Sequence, residues 1–356
     1  MASQFLTTRG PSLASEVVQS LGAVQAQDYS GAKWALGQRT QGGTDATIER
    51  EIDEGRILRT HVLRPTWHFV LPGDIRWMLA LTAPRVEAAT ASYTRRLELD
   101  RKIFRRSNAA LTKALAGGEC LTRTELKARL VRARVPVPTT QHLGHLMMQA
   151  ELDGVVCSGP RRGKQFTYAL LDERAPRAPS LTREEALLEL TRRYFATRGP
   201  ATPRDFAWWS GLTIADAKRG IALAGRELEV LTLGGQSFWT AADAPRPPRA
   251  ARVVHLLPNY DEYFIGFRDR SAIAERLGHS KVVTGGDALV PHVITIGGQL
   301  VGTWRRAVEK TRVVVTLTLL TRLGEAERKA VHAAVERFGA FLGSAVDLHE
   351  QSSIIR

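Results

Sequence analysis

A chain of 356 residues, 44% of them hydrophobic, is too long for one core and too apolar to be disordered, so two to four compact units are expected. Its 50 basic and 36 acidic residues leave a formal charge of +14, which points to a polyanionic partner: DNA, RNA or an anionic membrane face. Two cysteines without a CxxC pair argue against a zinc ribbon or iron–sulfur cluster, and the lack of a signal peptide or a bilayer-spanning apolar run leaves a soluble cytoplasmic protein.

In chain order, Leu13, Val17, Leu21 and Val24 mark one helix face. Helices follow near Ala32–Arg39 and Ala46–Glu54, then strand-like segments at Leu58–Leu63 and Thr66–Leu71. Helices followed by a strand pair make one candidate winged helix, and Arg85–Lys102 reads as a long helical connector. The clearest unit runs from Leu121 to Leu171. Thr122 and Glu125 form a T-x-x-E capping box ahead of Leu126 and Leu130. After Pro136 and Pro138, a second helix carries Leu143, Leu146, Met147 and Ala150 at helical spacing. Two short strands, Gly154–Ser158 and Gln165–Leu170, then flank a basic tip holding Arg161, Arg162 and Lys164. Helix, turn, helix and basic hairpin is the layout of a winged helix-turn-helix, with the tip as its wing.

The layout recurs after Leu181. Thr182 and Glu185 make another capping box, Pro203 opens a helix, Thr213 and Asp216 open the next, and Leu228–Leu233 and Ser237–Thr240 flank Gly234-Gly235. Ala244–Arg252 is a proline-rich linker. Beyond it come a strand at Val253–Leu257, a hairpin across Gly297-Gly298-Gln299, a β-branched strand at Val313–Leu320 and a closing helix at Glu325–Leu342. The expected fold is therefore α+β: winged-helix units at 1–105, 106–175 and 176–243, and a C-terminal α+β domain at 244–356. Three such units in one basic chain make nucleic-acid binding the leading class.

Common catalytic signatures are missing: no Gly-rich phosphate loop, HExxH or GxSxG. His142 and His145 would need further ligands to hold a metal, so no metal and no cofactor are expected. Asp261 and Glu262 read either as an acid–base pair or as a turn and helix N-cap, the second being the commoner use. In Gln25-Ala26-Gln27 the two amides share a side only if the chain is extended there; they read either as an exposed loop or as a pair holding a water or a base edge. In a strand, His61, Leu63, Pro65, Trp67 and Phe69 share one face, and Arg64, Thr66 and His68 the other. Trp67 suits core packing, while Arg64 and His68 suit phosphate or base contacts.

Gln25-Ala26-Gln27, the stretch Arg59 to Phe69 with His61, Arg64, Trp67 and His68, the segment Leu257 to Tyr263, and Gly302-Thr303-Trp304-Arg305-Arg306 occur in that order. Together they resemble the AlkZ/YcaQ family of bacterial winged-helix DNA glycosylases, over nearly the whole chain. The resemblance implies tandem winged helices in a C shape with a basic concave face. It implies a monomeric, cofactor-free enzyme that excises alkylated purines from double-stranded DNA, including bulky adducts or interstrand crosslinks, without strand cleavage and without an obligate protein partner. It assigns catalysis to Gln25 and Gln27, in the Gln-x-Gln form of the AlkZ branch. His61, Arg64, Trp67 and His68 become second-tier lesion contacts. Arg161, Arg162, Lys164, Arg305 and Arg306 become DNA contacts, as do Gly298 and Gln299 on a DNA-probing hairpin. The rival readings are a winged-helix transcriptional regulator, which would ignore lesions, and a protein that sequesters a genotoxic small molecule, which would need an apolar pocket.

Overall fold

The computed structural model describes residues 1–175, 177, 180–244, 253–278 and 292–352, so most of the expected linker Ala244–Arg252 lies outside the described residues. The fold is mixed α+β, with two compact units, each assembled from separate stretches. The first comprises Met1–Glu49, Arg192–Trp209 and Gly225–Arg356; the second comprises Arg50–Thr191 and Ser210–Ala224.

The second unit begins within α3 (Asp45–Asp53), which leads into the antiparallel pair β2 (Leu58–His61) and β3 (Trp67–Val70), in which His61 lies opposite Trp67. Helix α4 (Ile75–Arg96) follows, and runs through Pro84. The expected connector Arg85–Lys102 is thus the end of α4, a break at Glu98 with a left-handed φ of 53°, and the start of α5 (Arg101–Leu115). Asp100 restarts the helix by accepting from Ile103 N at 2.7 Å.

From α5 the order is β4 (Leu121–Thr122), α6 (Arg123–Arg132), α7 (Thr140–Leu152), β5 (Val156–Ser158) and β6 (Thr167–Leu170). The strands form a sheet in the order β4-β6-β5. The capping box forms as its sequence requires: Thr122 Oγ1 accepts from Glu125 N at 3.4 Å, and Glu125 Oε2 accepts from Thr122 N at 2.7 Å. Leu111, Leu115, Leu126, Leu130 and Leu146 are fully buried together, which is why three short helices and a small sheet hold as one body. A short helix, α8 (Leu171–Arg174), α9 (Arg183–Arg198), α10 (Pro203–Ser210) and α11 (Ile214–Ala224) complete the middle of the chain.

The first unit contains α1 (Ala14–Leu21), the two-residue strand β1 (Val24–Gln25), α2 (Tyr29–Gly37) and the hairpin β7 (Leu228–Leu233) with β8 (Gln236–Ala241). Its largest sheet is five-stranded, in the order β13-β12-β11-β10-β9. These are β9 (Val254–Leu257), β10 (His292–Ile296), β11 (Gln299–Val308), β12 (Arg312–Leu319) and β13 (Ala345–Ser352). The last pair is parallel and so needs a crossover. Helix α13 (Glu325–Leu342) supplies it and buries Val331, Val335 and Phe338; the four-residue α12 (Glu262–Ile265) follows β9. Trp34 of α2 meets Phe338 edge-on with centroids 5.1 Å apart, as does Trp304 of β11. Helix α2 is thereby tied to the sheet. Among the described residues no helix is long and apolar enough to cross a membrane.

Candidate active site

In the first unit, the stretch after α1 is fixed before any side chain on it is considered. Gly22 turns the chain with a φ of 78° where α1 ends, and the backbone then extends through Val24–Gln25. Gln25 N donates to Glu262 Oε1 at 2.8 Å. The other oxygen of that fully buried carboxylate accepts from Arg198 at 2.6 Å and from Trp209 Nε1 at 2.9 Å. Arg198 lies with its guanidinium 4.3 Å from the Trp209 ring and also donates to the Leu21 carbonyl at 2.9 Å. One cation thus satisfies an orphan carbonyl at the end of α1 and the carboxylate that holds Gln25.

The neighbouring carboxylate does the same at the far end of α2. Asp261 accepts two bonds from Arg39, at 2.7 and 2.8 Å, and both side chains are almost wholly buried. Asp261 also caps α12 by accepting from Tyr263 N at 2.9 Å. Of the two readings of this acidic pair, the helix cap is the one the structure contains, joined to two buried ion pairs that the sequence did not reveal. Tyr260, just before it, has a φ of 64°, a left-handed conformation rare for a bulky residue.

Gln25 is 5% exposed, whereas Gln27 is exposed. Strand β1 ends at Gln25, and the chain bends through Gln27–Asp28 into α2. Asp28 is the N-cap of α2, accepting from Gly31 N at 3.1 Å. The same carboxylate accepts from Arg306 of β11 at 2.9 and 3.1 Å. Gln27 therefore sits between a buried neighbour tied to Glu262 and a cap tied to Arg306, and its amide is presented on a backbone held at both ends. The two carboxylates flanking it, Glu262 and Asp28, are both engaged in ion pairs.

Beside this network, His292 accepts from Asn259 N at 2.8 Å, and burial followed by the Arg306 charge pushes its pKa down to about 4. His255 is likewise held near 4 by burial and then Arg39. Both rings are neutral in the folded chain at pH 6, where an unfolded histidine, with an ordinary value of 6.5, is largely protonated. Their contribution is complete above about pH 6.5 and is lost as pH falls towards 4. The urea midpoint should drop across that window, and drop less in His292→Gln; an identical profile in the variant would contradict the assignment.

The other sequence candidates are spread through the fold. Arg306, taken as a DNA contact, is 12% exposed and holds Asp28, while Arg305 is exposed. Gly298 and Gln299, taken as a probing tip, are packed: Gly298 O accepts from Tyr263 Oη at 3.2 Å, and Gln299 bonds Ala272 O at 2.9 Å and Arg276 N at 3.2 Å. The connection between β11 and β12 is exposed, with Val308 68% exposed. In the second unit, Arg162 bonds Glu125 and the Cys120 carbonyl, and Arg161 N donates to Asp53. Lys164 is exposed at the wing. His61 pairs with Glu151, and Trp67 Nε1 donates to the same carboxylate at 3.4 Å. His68 is fully buried, with Nδ1 2.9 Å from Thr66 O, which corrects its expected place on a DNA-facing surface; Arg64 is half-buried. Sequence reasoning singled out Glu262 but missed its partners, Arg198 and Trp209, and missed Arg39. Their one legible signal is an acidic pair inside an apolar stretch, since a buried carboxylate requires a cation.

Three comparisons bear on this arrangement. The family model described as DNA glycosylase AlkZ-like matches residues 18–341. The interstrand DNA cross-link repair glycosylase of Streptomyces sahachiroi is 27% identical over 358 residues, spanning 94% of this chain and 93% of that protein. The solved structure of Streptomyces sahachiroi DNA glycosylase AlkZ superimposes with a TM-score of 0.80 at 24% identity, over 99% of this chain and 97% of that one.

Proposed function

The chain belongs to the AlkZ-like family of DNA glycosylases, and on that premise we propose that it hydrolyses the N-glycosidic bond of purines alkylated at N7 or N3, with Gln25 and Gln27 as the catalytic pair. The observation that carries the assignment is the clamped backbone from Gln25 to Asp28, held by Glu262 on one side and Arg306 on the other. A purine alkylated at N7 or N3 is cationic and leaves neutral, so strong protonation of the leaving group is unnecessary. The enzyme has to place a water at C1′ and face a dipole to an oxocarbenium-like sugar, the milder form of what paired carboxylates do in sugar hydrolysis. An amide oxygen suffices for both tasks. Gln27, being exposed, orients the water; Gln25, being buried, steadies the sugar.

The order α5, β4, α6, α7, β5, β6 with sheet order β4-β6-β5 supports reading 106–175 as a winged helix. We retain 1–105 and 176–243 as further winged-helix modules and 244–356 as the α+β module. Arg161, Arg162, Lys164 and Arg305 supply phosphate contacts, and the β11–β12 tip takes the probing role. The named activity of the Streptomyces relative makes interstrand crosslinks and bulky adducts the substrates to try beside simple methylpurines. The protein acts as a monomer on cytoplasmic DNA, without cofactor.

The test is a duplex carrying one N7-alkylguanine, a bulky adduct or a crosslink, incubated with protein and then heated in alkali. Base release with alkali-dependent cleavage, and no covalent trapping by borohydride, is the expected result, because no lysine forms a Schiff base in this mechanism. Release from none of the three substrates would overturn the proposal.

A further inference from the structure

The second unit contains a cavity of about 450 Å³, within the range of small-ligand sites, lined by His61, Trp67, Tyr93, Arg123, Gln141 and His145 among others. Its polar groups are built rather than incidental. His61 is 6% exposed, and its Nδ1 is taken by Glu151, itself 1% exposed. That carboxylate fixes the ring, and among the described residues Nε2 has no hydrogen-bond partner. Trp67 packs against the same imidazole with ring centroids 4.3 Å apart. His145 is held by Thr94 Oγ1 at 2.7 Å, and its pKa is lowered by burial and then by His61, so it lines the cavity as a neutral ring.

The lining also includes a cation and the start of a helix. Thr140 and Gln141 open α7, whose first amides carry the positive end of the helix dipole. Arg123 lies against residue 144 of the same helix, a glycine where a Cβ would come within 2.7 Å of Arg123 Nη2. Trp67 and Tyr93 supply aromatic walls, and the Trp67 ring also carries the Arg59 guanidinium 4.4 Å from its centroid. A lone phosphate would leave the aromatic walls without a planar partner, and a lone apolar ring would leave Arg123 and the helix amides without an anion.

We propose that this cavity binds one nucleotide, its planar base against Trp67 with an edge hydrogen-bonded to His61 Nε2, and its phosphate on Arg123 and the first turn of α7. The chemistry is the same whether the nucleotide is extruded from a DNA strand or free in solution. The inference rests on the chain being a DNA glycosylase and not on the roles given to Gln25 and Gln27.

The full-length protein is titrated calorimetrically with deoxyguanosine 5′-monophosphate, deoxyguanosine and inorganic phosphate. It is also mixed with a duplex containing one 2-aminopurine, whose fluorescence rises when the base unstacks. Two rim variants are compared, Arg123→Gln and Gln141→Trp, the second filling the cavity from an exposed position. Thermal unfolding checks that both fold. The mononucleotide should bind more tightly than either half. Arg123→Gln should weaken it about 10-fold while leaving the nucleoside unchanged, as expected for loss of a charge-assisted phosphate bond, and Gln141→Trp should abolish binding. A calorimetric response identifies a free-nucleotide site. A 2-aminopurine response alone, lost in Gln141→Trp with duplex binding retained, identifies a strand nucleotide. No response in either arm, or responses that both variants leave intact, overturns the proposal. Excision measured in parallel separates the two readings: excision without nucleotide binding contradicts this pocket alone, and variant-sensitive nucleotide binding without excision contradicts the proposed hydrolysis and not the pocket.

Discussion

Replacing Glu262 with alanine is expected to destabilise the protein by about 3–5 kcal/mol, the usual result of removing one partner of a buried ion pair. Arg198 and Glu262 are both almost wholly inaccessible, so the guanidinium left behind has no water to turn to. Trp209 Nε1 and the Gln25 amide lose their acceptor at the same time, and each unmade buried bond adds to the penalty. Urea unfolding measures the loss. Pairing Glu262→Leu with Arg198→Met should recover much of it, since taking away both charges removes the uncompensated one. A loss under about 1 kcal/mol in Glu262→Ala would show that the pair does not anchor the segment.

The two glutamines should separate in their response to truncation. Gln27 is exposed, so Gln27→Ala should leave stability within about 0.5 kcal/mol while slowing single-turnover base release about 10²–10³-fold, the cost of removing one dipole aimed at a transition state. Gln25 is buried, so Gln25→Ala should lower stability by about 1–3 kcal/mol as well as the rate. Equal stability losses, or a rate unchanged in Gln27→Ala, would remove the assigned division of labour.

Local signals in the sequence carried far. The capping boxes Thr122–Glu125 and Thr182–Glu185 both form, because they depend on residues three apart. The turn at Gly297-Gly298 was legible as a turn, with Ile296 opposite Gln299. That it is packed on Tyr263 and Ala272 was not, since burial of a turn depends on distant segments. Strand β13 was missed for a similar reason: Ala345–Ser352 is largely polar, and its pairing with β12 is set by the crossover through α13. The connector was read from Arg85, yet α4 begins at Ile75 and continues through Pro84, its buried face, from Ile75 to Val86, outweighing one lost bond. At the candidate site the Gln-x-Gln pair was legible only through family resemblance. Glu262–Arg198 and Asp28–Arg306 join residues 64 and 278 positions apart, and no periodicity or spacing rule encodes such a pairing.

The most direct measurement compares wild type with the Gln25→Ala/Gln27→Ala double variant on a duplex carrying one N7-alkylguanine. Protein is in excess, and occupancy of the DNA is matched by anisotropy. Mass spectrometry detects the freed base, and alkali treatment reveals the abasic site. Stoichiometric release by the wild type, with release by the double variant near the uncatalysed rate at equal occupancy, is the predicted result. Equal release by both proteins at matched occupancy would contradict catalysis by this pair.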